Sequence, residues 1–83
     1  MEKDDIEVIV KEILVDTLPE LKHKAYDQDK KQDQFESWDS FSHIELIGKI
    51  EERFGIQLDI TEVVGLDTPR KIIEAVKSKL FTK

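Results

Sequence analysis

Trp38-Asp39-Ser40-Phe41 stands at the entrance of a segment whose apolar residues recur with the period of an α-helix. No other feature constrains the fold as strongly. At about 100° per residue, His43, Leu46, Ile47, Ile50 and Phe54 gather on one side of a helix over residues 41–54, and Gly55 supplies its stop. That side is expected to face a core. Phe41, Ile44, Glu45, Gly48, Glu51 and Glu52 gather on another side, with Ser40. A serine beside two apolar residues and three carboxylates suits a surface that partners read. Nothing in the sequence places a general base beside Ser40, so it reads as a residue that another enzyme modifies rather than a nucleophile.

Three more helical segments share this logic. Over residues 4–17, Ile6, Ile9, Val10, Ile13 and Leu14 follow i, i+3, i+4, i+7, i+8 spacing. Asp4, Asp5 and Glu7 favour the positive N-terminal end of that helix, and Pro19 helps to stop it. Thr61-Glu62-Val63-Val64 predicts one short turn ending at Gly65. The last helix opens with Thr68 as N-cap and Pro69 at its first position, and Ile72, Ile73, Val76 and Leu80 form its stripe. Lys77 and Lys79 suit its negative end.

Ile56 and Leu58 alternate with polar residues over too short a span for a sheet, and are expected to plug the core from a connector. Residues 19–39 lack periodicity. A loop of that length is either functional or a warning against the assignment. It is expected to be an ordered crossover pinned by Leu21, Tyr26, Phe35 and Trp38, with a mobile middle at Asp27–Gln34. The fold expected is all-α: a small four-helix bundle with a short third helix and a long loop between helices one and two. Residues 1–83 are read as a single domain.

A chain of 83 residues without cysteine has neither disulfide nor thiolate-metal staples and must rest on well-patterned helices. Its N-terminus is acidic and lacks an apolar core, so no secretory signal is read, and no apolar run is longer than four residues. A cytoplasmic location and a monomer are expected. Residues 36–67 carry eight acids and two bases, whereas residues 68–83 carry one acid and five bases. The acidic pole therefore surrounds Ser40. Such a field repels nucleic acid and anionic membrane and favours basic partner surfaces.

Other chemistry finds little support. Asp27, Asp29 and Asp33 suggest a calcium loop, but its fifth position is Lys31, its sixth is Gln32 rather than glycine, and its twelfth is Trp38 rather than glutamate. His23 and His43 are isolated, so no metal site is read, and His43 is expected to be a partly buried structural residue. No catalytic residues and no phosphate-cradling glycine loop emerge. Taken alone, Ser40 reads as the N-cap of its helix, which leaves Phe41 and Ile44 on its side unexplained.

Residues 36–58 resemble the acyl carrier protein family: Glu36-Ser37-Trp38-Asp39-Ser40-Phe41, His43-Ile44-Glu45-Leu46-Ile47 and Arg53-Phe54-Gly55-Ile56-Gln57-Leu58. The likeness lies in an Asp-Ser-hydrophobic triplet that opens an acidic helix and in the Phe-Gly-Ile segment that closes it. Helix order extends it over about residues 5–80. The resemblance implies a non-enzymatic carrier with 4′-phosphopantetheine on Ser40, transferred from coenzyme A by a phosphopantetheinyl transferase. It implies that acyl groups travel as thioesters, for fatty-acid, polyketide or other specialised acyl biosynthesis. An aminoacyl carrier (D-alanyl or peptidyl) is the alternative, and a helical interaction module the rival from another class. By the same resemblance Asp39 assists the transfer by contacting the transferase's metal. Phe41, Ile44, Glu45, Gly48, Glu51 and Glu52 would form the face that docks basic-rimmed loading and acyltransferase enzymes. Ser37 replaces a glycine common in the family and Gly48 replaces an exposed apolar residue, which suggests a specialised carrier.

Overall fold

The computed structural model describes residues 3–23 and 26–81; the Asp4 side chain, expected at the first helix's positive end, lies outside the described part. Four α-helices follow the apolar stripes: α1 (Lys3–Thr17), α2 (Ser40–Phe54), α3 (Ile60–Gly65) and α4 (Pro69–Phe81). Single 3₁₀ turns occupy Pro19–Lys22 and Gln32–Gln34, and no strand occurs among the described residues. The all-α bundle with a short third helix is the fold expected.

Each helix ends for a local reason. Pro19 begins the turn that follows α1, where its missing N–H costs nothing. Gly55 ends α2 at φ 65°, a left-handed conformation that glycine adopts without a Cβ clash, and the Gly55 and Ile56 amides both return to the Glu51 carbonyl. Thr68 Oγ1 accepts the Lys71 amide at 3.2 Å and caps α4, as its sequence implied.

α1 packs against both α2 and α4. Ile6, Val10 and Leu14 from α1, Leu46 and Ile50 from α2, and Ile72 and Val76 from α4 have no exposed surface. Burial of each such side chain contributes roughly 1.5–3 kcal/mol. Ile9 and Ile13 pack half-buried against the core, as the stripe implied, beside the innermost i, i+4, i+8 row of Ile6, Val10 and Leu14. One expectation about faces is corrected. Leu80 is 36% exposed, since α4 runs on beyond the core. Ile56 and Leu58 pack on the core from the connector as expected.

Leu21, Phe35 and Trp38 are buried and Tyr26 half-buried, so the long crossover is pinned where expected. Its middle is corrected from mobile to strapped. The Arg70 amide donates to the Gln28 carbonyl at 2.9 Å, and the Gln32 amide to the Asp67 carbonyl at 2.7 Å. Arg70 grips both Asp29 carboxylate oxygens, at 2.6 and 3.2 Å. The start of α4 therefore clasps the crossover and brings it alongside the start of α2.

Candidate functional site

Asp39 has extended backbone angles, and its Oδ1 accepts the Ser42 amide at 2.8 Å. This corrects the sequence reading of Ser40 as the cap: Asp39 holds that post and Ser40 is the first helical residue. Both residue types make good caps, and the backbone turn one residue earlier decides between them. Ser40 is exposed, and among the described residues no group engages its hydroxyl. The Ser42 amide holds the Asp39 carboxyl below its ordinary range, assisted by the Ser42 side chain, so a carboxylate stays ionised beside Ser40.

An open hollow of about 510 Å³ lies next to Ser40, lined by Lys31, Gln32, Asp33, Trp38, Asp39 and Asp67. Lys31, Gln32 and Asp67 were not singled out from sequence. They reach the site only because the strapped crossover and the α3–α4 junction meet there. Asp67 is paired with Lys71 at 2.8 Å, which lowers its pKa. Lys31 thus contributes an ammonium to the rim beside the positive end of α2.

The segment leading into Ser40 is braced from behind. Glu20 Oε1 accepts both the amide and the hydroxyl of Ser37, at 2.8 and 2.9 Å, a use for Ser37 that a glycine would only half fill. Trp38 is 2% exposed, stands edge-on to Phe35 with ring centroids 5.2 Å apart, and donates its indole N–H to His43 Nδ1 at 3.0 Å. His43, expected to be partly buried, is buried, with the Trp38 indole on one ring nitrogen and the Val63 carbonyl on the other.

The second face of α2 is mostly presented as read. Phe41 is 80% and Ile44 71% exposed, and Glu45, Gly48 and Glu52 are exposed too. A Cβ on Gly48 would meet nothing within 4 Å, so packing does not demand glycine there. Glu51 departs from the reading. It is half-buried, and its Oε2 accepts the Leu58 amide at 2.9 Å, so it braces the α2–α3 connector. Between α2 and α3 lies a second hollow of about 400 Å³, lined mainly by Ile44, Ile47, Leu58, Ile60 and Val63.

Two of the three aspartates that suggested a calcium loop are otherwise engaged. Asp27 Oδ1 accepts the Asp29 amide at 2.9 Å and Asp29 is bound to Arg70. Among the described residues no group of acids and histidines is placed to hold a metal ion. No described helix is long and apolar enough to cross a membrane.

The family described as phosphopantetheine attachment site matches residues 33–76, from the crossover before Trp38 into α4. No curated protein matches the chain.

Proposed function

The chain belongs to the phosphopantetheine attachment family, and from that membership we propose that Ser40 is its attachment point and that the domain carries acyl groups. The prosthetic group of this family, 4′-phosphopantetheine, supplies a thiol on which cargo is held as a thioester. The observation that carries the reading is an exposed serine with an unengaged hydroxyl, in the first turn of α2, inside the matched segment.

Around Ser40 two features favour a phosphodiester, set against the Asp33 and Asp39 carboxylates on the same hollow. The positive end of α2 favours an anion on its first residue, and Lys31 adds a cation on the rim of the hollow. That hollow, about 510 Å³, leaves room beside the hydroxyl. Asp39 would do two things: cap the helix that presents Ser40, and offer an ionised carboxylate to a divalent metal brought by the transferase. The chain's own residues thus bind and orient, and the chemistry of loading belongs to partner enzymes. Phe41 and Ile44, with Glu45 and Glu52, would dock basic-rimmed phosphopantetheinyl transferase and acyltransferase surfaces.

Acyl rather than aminoacyl cargo is favoured by the apolar hollow between α2 and α3, one turn along α2 from Ser40. Fatty-acid, polyketide or other specialised acyl biosynthesis is the setting this implies. Incubation with coenzyme A and a transferase should raise the intact mass by one prosthetic group, located on Ser40 by fragmentation and absent from Ser40→Ala. Unchanged mass, or labelling of Ser40→Ala, overturns the attachment reading. Loading a medium-length acyl chain should then raise the melting temperature more than loading D-alanine, and equal temperatures would favour an aminoacyl carrier.

A further inference from the structure

We propose that His43 is a positioning residue that joins α3 to the segment presenting Ser40, so that displacement at one is transmitted to the other. The Trp38 indole nitrogen is a donor only. Its bond to His43 Nδ1, 3.0 Å long, therefore leaves that nitrogen without a proton. The proton of the neutral ring resides on Nε2, which donates to the Val63 carbonyl in α3 at 2.8 Å. One buried ring thus connects Trp38, two residues before Ser40, to the middle of α3.

The joint matters because α3 is otherwise held mainly from its flanks, by Glu51 on the Leu58 amide and by buried Leu66. None of its residues is fully buried, and Ile60 and Val64 are 79% and 76% exposed. Val63 is half-buried. The Glu62–Lys79 pair, 3.1 Å long between partly exposed side chains, is a weak surface tether. At the other end of the joint the indole is fixed by burial and by its edge contact with Phe35. Its neighbour Asp39 caps α2, so the indole's position sets the entry angle of the helix. A partner or cargo that shifts α3 would pull on the Val63 carbonyl, turn the imidazole and draw the indole with it. A buried donor or acceptor left unpaired is costly, which favours the two ends moving together over one bond breaking alone.

The joint does not depend on which residue bears the prosthetic group; only its consequence for loading rests on Ser40. Its test is therefore spectroscopic. Trp38 is the one tryptophan of the chain, so its indole gives a single assigned resonance. Nitrogen-15 spectra of His43 should show the proton on Nε2 and a bare Nδ1. Glu62→Ala, which loosens α3 without touching Trp38, should shift the indole resonance when His43 is present and leave it unmoved in His43→Phe. His43→Gln, with an amide that can both accept and donate, should restore part of the response. In the reverse direction, Trp38→Phe keeps an aromatic core residue and should speed amide exchange across Val63–Leu66, a readout that stands if His43→Phe fails to fold. A proton on Nδ1, an equal indole response with and without His43, or unchanged α3 exchange in Trp38→Phe overturns the proposal.

Discussion

Asp39 caps α2 by accepting the Ser42 amide at 2.8 Å, and so leaves the hydroxyl of its neighbour Ser40 uncommitted. Presentation of the serine and stability of the helix are thereby assigned to different side chains. Ser40→Ala should change stability by less than about 0.5 kcal/mol, whereas Asp39→Ala should be the more destabilising of the two because it removes the cap. The Asp39 carboxyl is held below its ordinary range by that amide, so its contribution is complete above the unfolded value. It is lost as pH falls through the lower folded value, in the region below about pH 4. Denaturant melts of wild type and Asp39→Asn across this range should converge at the acid end. Parallel curves would remove Asp39 from the acid response.

Ile50 has no exposed surface and sits where α2 meets the core. Ile50→Ala should cost roughly 2–5 kcal/mol through lost transfer energy and the cavity left behind. In a small domain that is a large share of the total. Chemical denaturation measures it, and an unchanged midpoint would contradict the packing described.

Burial, and secondarily the charge of Glu7, pushes the Tyr26 phenol up to about 12. The folded chain thus keeps its proton where the unfolded chain, with a value near 10, has lost it. Stability should fall as pH rises between about 10 and 12. Because the phenol oxygen is buried without a partner among the described residues, Tyr26→Phe should be at least as stable as wild type at neutral pH. It should also lose this alkaline decline. A decline identical in both proteins would assign it to other groups.

Glu45 and Glu52, exposed and about two turns apart on α2, offer charge to a basic partner rim. Each exposed pair is worth only about 0–1 kcal/mol, so reversing both to lysine should act mainly on association rate. The transferase's kcat/KM should drop at low salt, and the deficit should shrink as salt screens the field. Equal values at low salt would take these carboxylates out of recognition, and a deficit indifferent to salt would mean lost contacts.

Helix positions were legible in the chain because their causes are local. Apolar period, Gly55 at the end of α2, and Thr68-Pro69 at the start of α4 act within a turn or two of themselves. The same holds for an exposed serine beside an aspartate: neighbouring residues alone make the motif that the family match covers. Rotation of α1, which put Ile6, Val10 and Leu14 inside and left Ile9 and Ile13 at the edge, was not local. It depended on α1 meeting two helices at once. Pairings across the chain were equally hidden. Arg70 with Asp29, Gln32 with Asp67, Glu51 with Leu58, and His43 between Trp38 and Val63 carry no periodic signal. Sequence by itself determined which segments are helical and which serine stands at a helix entrance, since backbone propensity and capping are short-range. Only the tertiary structure decided what surrounds that serine, because hydrogen bonds between distant residues exist only once packing has brought their elements together.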